Sequence, residues 1–476
     1  VVRGGVMRLN VKAPPTCLCY GRQVYTHEGA KASHINAELQ LRRLVLANML
    51  FEDSFYVDGK TTAQVVAETI PKVDPAVVAK IAIEAREKQH LRHIPLLLCR
   101  EMARLPTHRH VVSSTLERVV QRPDELTEYC AIYWKDGRKP LSAQSKKGLA
   151  RAFPKFNEYS LAKFCGDGAV KLRDVLFLSH ANPKDEAQAL VWKKLVDNKL
   201  EVPDTWEVNL SSGKDKKETW ERLMGLRKLG GLAFLRNLRN MQQAGVSQRF
   251  VSEYANVVDL TRVLPFRFIA AARAVPMWED MVDAMFLRGT SQQAKLPGKT
   301  VIVVDVSGSM YSGNVSARSD MTRVDAAGAL AAIVRETCEF PRLYATAGDD
   351  YKRIHATSEC PPRRGMALVD MFSKKGFAST LGGGGIFLVQ CLEWIKEREK
   401  YADRVIVLTD EQDCDTKLNP EKADAFGKTN YLINVAVYKN GIGYGKWVHV
   451  DGWSESILEF IRASDLPVLR QTGEQV

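Results

Sequence analysis

The sequence lacks the features that define several protein classes. Its longest apolar runs, such as Ile94–Cys99 and Thr300–Val304, are far shorter than the roughly 18–20 residues that cross a bilayer. The first residues, Val1–Met7, contain no apolar core of a secretion signal. The nine cysteines are odd in number and include no Cys-x-x-Cys pair, so their spacing indicates neither a disulfide framework nor a zinc site. We therefore expect a soluble cytoplasmic protein in a reducing compartment, with no membrane partner.

The common catalytic motifs are also missing. The glycines at 382–385 are not followed by the Gly-Lys-Ser/Thr of a phosphate-binding loop. Val306–Met310 is not the Gly-x-Ser-x-Gly of a hydrolase elbow, and no His-Glu-x-x-His occurs. The sequence also shows no carboxylate–histidine cluster of the kind that would indicate a nuclease. The prediction is a protein that binds without catalysing a reaction.

The composition is that of a globular protein, with 45% hydrophobic and 26% charged residues among 476. Up to about residue 296 the pattern is helical. Apolar residues recur at three- and four-residue spacing in Ala37–Phe51, Ala76–Lys88, Val111–Val120, Ser145–Ala152, Glu186–Val196, Trp220–Leu229 and Phe250–Leu260. Many short helices separated by Gly, Pro and Asp favour an α-solenoid of the HEAT kind over residues 1–296, although no fixed repeat period is visible.

From Pro297-Gly298 onward, strands and helices alternate. Apolar strands are predicted at Lys299–Asp305, Leu343–Thr346, Arg353–Ala356, Arg404–Thr409 and Leu432–Tyr438. Helices are predicted at Val324–Cys338, Ile386–Arg398 and Ser456–Ala463. This alternation predicts a second domain, residues 297–476, that is a doubly wound α/β fold with a mostly parallel sheet.

A candidate metal site follows the first strand of this domain. Asp305, Ser307 and Ser309 lie on alternate residues of a Gly/Ser loop, and Asp410 ends another strand. Ligands of such sheets bind at the carboxyl ends of the strands. Carboxylate and hydroxyl oxygens suit Mg²⁺, which prefers oxygen ligands in near-octahedral geometry.

This constellation resembles the metal-ion-dependent adhesion site of von Willebrand factor A (vWA) domains, Asp-x-Ser-x-Ser with a distant Thr and Asp. The resemblance implies Mg²⁺ at Asp305, Ser307, Ser309 and Asp410. Its threonine usually follows two glycines, where this sequence has glycine, and Thr380 four residues earlier is the candidate substitute. The alternative is a vWA fold that binds no metal.

The net positive charge of the chain lies in its first 300 residues. Residues 1–300 hold 47 basic and 32 acidic residues, net +15, whereas residues 301–476 hold 21 and 24, net −3. Lys146, Lys147, Arg151 and Lys155 recur at near-helical spacing. Localised positive charge favours a polyanionic partner such as nucleic acid. The alternative is an ordinary solvated helix face.

Helical repeats followed by a vWA-like domain form an unusual pair, and the chain resembles the TROVE-domain family, the Ro autoantigen ribonucleoproteins and their bacterial relatives. The similar segments are Cys17–Gly21, Leu172–Pro183, Ala233–Leu238, Val263–Phe266 and Asp305–Met310. The resemblance implies a monomeric ring of helical repeats whose ends are joined by the vWA domain. It also implies small noncoding Y-like RNA on the outer surface, single-stranded RNA ends in the central hole, and an exoribonuclease tethered through the RNA in RNA quality control.

The same resemblance implies particular RNA contacts. The histidine of the family's RNA surface corresponds to His180, and an upstream lysine corresponds to Lys163. Arg173 lies in the same segment as His180. A neighbouring basic position of the family falls near Asp167, which is a departure. The rival hypothesis is a Mg²⁺-dependent protein scaffold that binds no RNA.

Overall fold

Two kinds of secondary structure divide the chain near residue 295. The structure, a computed structural model, describes residues 24–25, 31–32, 37–47, 62–166, 168–202, 204–211, 215–261, 263, 265–292, 294–312, 314, 321–349, 351–381, 383–410, 426–435, 447–451 and 456–465. Up to Ser291 the regular secondary structure of these residues is helical apart from a two-residue antiparallel pair, β1 (Val24–Tyr25) and β2 (Lys31–Ala32). From Leu296 onward, strands and helices alternate.

The helical unit consists of consecutive short helices. They are α1 (Ala37–Ala47), α2 (Thr62–Thr69), α3 (Pro75–Glu87), α4 (His93–Arg104), α5 (Arg109–Val119), α6 (Pro123–Tyr133), α7 (Ala143–Ala152), α8 (Glu158–Lys163), α9 (Leu172–Ser179), α10 (Glu186–Val196), α11 (Trp206–Ser211), α12 (Lys216–Gly225), α13 (Gly231–Gln243), α14 (Gln248–Val257), α15 (Phe266–Ala274) and α16 (Glu279–Ser291).

Local sequence explains where these helices begin. At α3, the Asp74 carboxylate accepts hydrogen bonds from the amides of Ala76 (2.9 Å) and Val77 (3.4 Å), and Pro75 occupies the first helical position. The side chain thus satisfies amides that have no partner within the helix, and proline has no amide to satisfy.

Charged side chains link helices within the apolar interior. Arg86 of α3 pairs with Glu125 of α6 at 2.7 Å, and both side chains are buried. The Glu125 carboxylate also accepts the amides of Gln121 (2.7 Å) and Arg122 (3.1 Å) ahead of α6. A buried carboxylate needs such partners, so this one contact fixes both the helix start and the packing of α3 near α6.

The α/β unit is built on a six-stranded sheet. Its strands are β3 (Leu296–Asp305), β4 (Cys338–Asp349), β5 (Ile354–Glu359), β6 (Ala402–Thr409), β7 (Gly427–Asn434) and β8 (Val448–Asp451). Its helices are α17 (Gly308–Ser312), α18 (Arg323–Thr337), α19 (Gly365–Met371), α20 (Leu388–Glu399) and α21 (Ser456–Asp465). The strand order is β5-β4-β3-β6-β7-β8, and β4 and β5 form the antiparallel pair among otherwise parallel neighbours.

This strand order places a topological switch point between β3 and β6. The chain leaves β3 toward β4 on one side and returns to β6 on the other. Apolar side chains cover both faces, with Ile302 and Val304 facing one cluster and Val301 and Val303 facing another. The predicted doubly wound, mostly parallel sheet is therefore observed, and the crevice at its switch point is where such folds bind ligands.

The α/β unit contacts both ends of the helical series. At one end, α16 packs against α18 and α19, and α1 packs against α21 and β8 at the other. Arg273 of α15 pairs with Asp325 of α18 at 2.7 Å, and Asp283 of α16 accepts the amide of Met366 in α19 at 2.7 Å. No helix among the described residues is long and apolar enough to span a membrane.

Candidate metal centre and nucleic-acid interface

The loop after β3 is organised around the Asp305 carboxylate. One oxygen, Oδ1, accepts the amide of Ser307 at 2.8 Å, and the other, Oδ2, accepts the Thr409 hydroxyl at 2.6 Å. The Ser307 and Ser309 hydroxyl oxygens lie 3.2 Å apart. The sequence predicts that these three loop residues come together, and the geometry agrees with that prediction. The Thr409 hydroxyl also connects the loop to the end of β6.

Asp410 supplies a second buried carboxylate at the same edge. Both Asp305 and Asp410 are fully buried. Burial, together with the negative charge of Asp410, raises the pKa of Asp305 to about 7. A cation bound between two neighbouring buried carboxylates offsets their repulsion, so this arrangement favours a bound cation. Among the described residues no cluster of three His, Cys, Asp or Glu side chains could hold a metal, so the serine hydroxyls would be needed as ligands.

A positive charge from the protein already lies in this site. The Arg323 guanidinium, at the start of α18, donates through Nη1 to Asp410 Oδ2 and to the Ser309 carbonyl oxygen, both at 3.1 Å. Sequence reasoning missed this residue. It lies outside the Asp-x-Ser-x-Ser motif, and an arginine before an apolar helix is usually on the surface.

Thr380 uses its hydroxyl within its own turn and not at the carboxylates. It is exposed, and its hydroxyl donates to the Phe377 carbonyl at 2.6 Å within one 3₁₀ turn. The glycine loop instead approaches through its backbone, because the Gly308 amide donates to the Gly383 (3.0 Å) and Gly384 (3.2 Å) carbonyls. Gly383 has a φ of +139°, and a Cβ there would lie 1.5 Å from the Gly348 carbonyl oxygen, so only glycine fits.

Cationic side chains line the outer part of α7. Lys147 and Arg151 are exposed four residues apart, and Lys146 is half-buried. Arg151 is 3.7 Å from Glu117, whereas neither lysine has an ion-pair partner among the residues described. This part of the predicted basic stripe therefore presents uncompensated positive charge.

Lys155, the fourth member of that stripe, is used within the protein. It lies in the 3₁₀ turn after α7, and its ammonium donates to the carbonyl oxygens of Glu117 and Val120 at the end of α5. Burial of the ammonium lowers its pKa. Lys155 thus satisfies carbonyls that the helix leaves without partners.

The segment around His180 forms one face of α9. His180 is the C-cap residue, with a left-handed φ of 55°, and its side chain is exposed. Arg173 and Phe177 lie seven and three residues earlier, on the same side of the helix. Phe177 is 61% exposed although it is aromatic. The α9 helix packs against α7, so the two helices that carry these side chains are neighbours.

Lys163 lies at the end of α8. It is exposed, and its ammonium is 5.7 Å from the centroid of the Phe164 ring. The guanidinium of Arg122 lies 4.4 Å from the same centroid. The family's neighbouring basic position, near Asp167, falls outside the described residues.

The fold and part of the sequence are similar to those of known proteins. The Ro (Rsr) protein of Deinococcus radiodurans superposes with a TM-score of 0.62 over 90% of this chain and 99% of that chain, at 16% identity. That likeness concerns the fold. Residues 197–368, from the helical unit into the α/β unit, match the family profile described as TROVE domain. This part of the chain is similar to the TROVE-domain family.

Two curated relatives of this chain are described as telomerase protein component 1. The mouse protein is 32% identical over 111 residues, which are 22% of this chain and 4% of that protein. The rat protein is 23% identical over 330 residues, which are 50% of this chain and 12% of that protein. The chain thus spans a small fraction of the length of either relative.

The sequence did contain a signal for Phe177, which was also missed. Leu172, Val175, Leu176 and Ser179 form the buried face of α9. Their three- and four-residue spacing leaves positions 173, 177 and 180 on the outside of this helix. An outward Phe between an arginine and a histidine differs from the ordinary polar exterior of a helix.

Proposed function

We propose that this chain binds structured noncoding RNA through the neighbouring faces of α7 and α9 and catalyses no reaction itself. The observation that carries the proposal is the packing of α7, which carries the exposed Lys147 and Arg151, against α9, which carries Arg173 and the exposed Phe177 and is capped by the exposed His180. The match of residues 197–368 to the TROVE-domain family, which is known for RNA binding, supports it.

The chemistry of these side chains suits RNA. Lysine and arginine neutralise backbone phosphates and release counterions, which makes the affinity fall with salt. An exposed aromatic ring offers a surface on which an unpaired base stacks. A histidine donates a hydrogen bond to a phosphate or a 2′-hydroxyl. Lys155 is left out of the interface because its ammonium is bonded to α5.

The first test is the nucleic acid that purifies with the protein at moderate salt. A discrete, structured small RNA is expected, and clean protein would count against the proposal. Filter binding of a structured hairpin RNA then compares Lys147→Glu with Lys352→Glu, a matched exposed lysine in the α/β unit. The first variant is expected to weaken binding and to lower the salt slope by about one, and the second to change neither.

The finer details extend this proposal. We propose that the helical series closes into a ring, supported by the contacts of the α/β unit with both α1 and α16. The outer surface would hold a Y-like RNA, the hole would accept single-stranded RNA ends, and the RNA would tether an exoribonuclease. A competition assay compares the affinity of RNA that has a free 3′ end with that of RNA that lacks one. Preferred binding of the RNA with the free end is expected if a hole accepts single-stranded ends.

The α/β unit has a proposed role of its own. Asp305, Ser307, Ser309 and Asp410 would hold Mg²⁺, with waters completing its coordination, because two buried carboxylates and two adjacent hydroxyls are hard oxygen donors. The ion would supply positive charge for an acidic group of a docked protein. A polypeptide partner that is lost on chelation, with no RNA present, would favour a protein scaffold instead.

A further inference from the structure

We propose that Arg323 is a built-in cation of the Asp305–Asp410 site, which neutralises the site when no metal is bound and competes with Mg²⁺ for it. The inference rests on the proposed metal site and goes beyond it, because it assigns a role to a residue outside the Asp-x-Ser-x-Ser loop. It predicts that this chain binds Mg²⁺ more weakly than its carboxylates alone would.

The position of the guanidinium carries the proposal. One nitrogen, Nη1, lies 3.1 Å from Asp410 Oδ2 and 3.1 Å from the Ser309 carbonyl oxygen. It therefore bridges the loop that follows β3 and the carboxylate that follows β6. Those are the two parts of the chain that a metal would otherwise join.

Burial makes this pair strong. The Arg323 side chain is 9% exposed and that of Asp410 is 0% exposed. Charges that are removed from water interact through a lower effective dielectric and are little screened by salt. A buried carboxylate without a compensating charge is costly, so a resident guanidinium stabilises the metal-free fold.

The backbone of Arg323 is held at this point by a helix cap. The Thr322 hydroxyl accepts the Asp325 amide, and the Asp325 carboxylate accepts the Thr322 amide, both at 3.2 Å. Asp325 in turn pairs with Arg273 of the helical unit at 2.7 Å. The start of α18 is thus fixed at the site and linked to the helical unit.

This arrangement weakens the binding of a divalent ion at Asp305 and Asp410 in two ways. It must share or replace the guanidinium on Asp410, and any guanidinium that stays nearby repels it. Removing the positive charge while keeping a hydrogen-bonding side chain, as in Arg323→Gln, removes both costs. The same change leaves the metal-free site with two buried carboxylates and less neutralising charge.

The test uses the full chain stripped of divalent ions with a chelator. Calorimetric titration with MgCl₂ and the melting temperature with and without Mg²⁺ are measured for wild type, Arg323→Gln, Arg323→Lys and Arg364→Gln. The last is the control, because Arg364 pairs with buried Glu336 near the other end of α18. Arg323→Gln is expected to lower the Kd for Mg²⁺ by about tenfold or more, to melt lower in chelator, and to gain more from Mg²⁺ than wild type gains.

Arg323→Lys keeps the charge, so a Kd near that of wild type is expected, and Arg364→Gln is expected to lower stability without changing the Kd. An unchanged or higher Kd in Arg323→Gln overturns the inference while the metal site stands. No Mg²⁺ binding in either protein overturns both. Should Arg323→Gln unfold in chelator, recovery of the folded state by Mg²⁺ supports the inference through mass action, and failure to recover counts against it.

Discussion

The junction between the helical unit and the α/β unit depends on the absence of a side chain at Gly365. This residue begins α19 with a left-handed φ of +55°, and a Cβ there would lie 2.0 Å from Asp283 Oδ1. Asp283 belongs to α16 and accepts the Met366 amide at 2.7 Å. Gly365→Ala therefore forces the carboxylate away from the amide that it binds.

Two contributions set the size of the effect. Alanine in the left-handed region costs about 1–2 kcal/mol. Displacing Asp283 from the Met366 amide costs about 1–3 kcal/mol, since a partly buried donor loses its acceptor. We expect Gly365→Ala to lower the free energy of unfolding by about 2–5 kcal/mol.

A double-mutant cycle with Asp283→Ala separates the two contributions. In chains that already lack the carboxylate, Gly365→Ala should cost only the backbone strain, about 1–2 kcal/mol. Urea unfolding followed by tryptophan fluorescence gives the four free energies. A non-additive term of about 1–3 kcal/mol is expected. If the two changes add to within about 0.5 kcal/mol, the contact between Cβ and carboxylate is not what excludes a side chain.

Three further outcomes follow from the structure. Lys155→Met should lower stability by about 1–2 kcal/mol, since α5 loses a partner for its last carbonyls, and should leave hairpin-RNA affinity unchanged; a parallel loss of affinity would place Lys155 in the interface. Phe177→Ala should weaken the binding of RNA with an unpaired loop by about 1–3 kcal/mol, with no change in melting temperature because the ring is largely exposed; a lowered melting temperature would indicate a packing role. Burial, with Arg398 nearby, lowers the pKa of His355 below its ordinary 6.5, so its contribution to stability is complete above pH 6.5 and is lost as pH falls through the folded-state pKa. His355→Gln should therefore lose less melting temperature than wild type between pH 7 and pH 5, and equal losses would contradict this.

Helical periodicity located helices more reliably than it located their ends. The segment Glu186–Val196 was predicted with the bounds that α10 has. The prediction of Trp220–Leu229 was wrong at both ends, because α12 spans Lys216–Gly225. Its first turn is charged and has no apolar spacing, and its start is set by Asp215, whose carboxylate accepts the Glu218 amide.

Strand patterns succeeded where both faces are buried. The β3 and β6 strands read as continuous apolar runs because helices cover both sides of the sheet. Only Leu343–Thr346 of β4 was predicted as strand, since the residues after Cys338 are mostly exposed and resemble a loop. The four-residue β8 was missed because it is too short to show a pattern. Part of the predicted strand Leu432–Tyr438 lies outside the described residues.

The candidate site shows the same division. Asp305, Ser307 and Ser309 are local in sequence, so a motif could predict that they converge. Arg323 reaches the site through the packing of α18 on the sheet, which no local pattern records. The resemblance places a threonine in the glycine loop. In the described part of that loop, the backbone carbonyls of Gly383 and Gly384 accept the Gly308 amide.

The packing of α1 on α21 and β8 affects how the protein is made. On the ribosome, α1 emerges well before α21 and β8, so part of the cover of its buried face, which includes Leu41 and Leu44, is encoded some 400 residues after it, whereas α2 and α3 follow directly. The entropy cost of closing so long a loop grows only slowly with its length. The contacts that offset this cost cannot form until α21 and β8 have been synthesised. Synthesis therefore leaves the side of α1 that faces α21 and β8 uncovered until those elements appear, and that interval is when the nascent chain would need the protection of a chaperone.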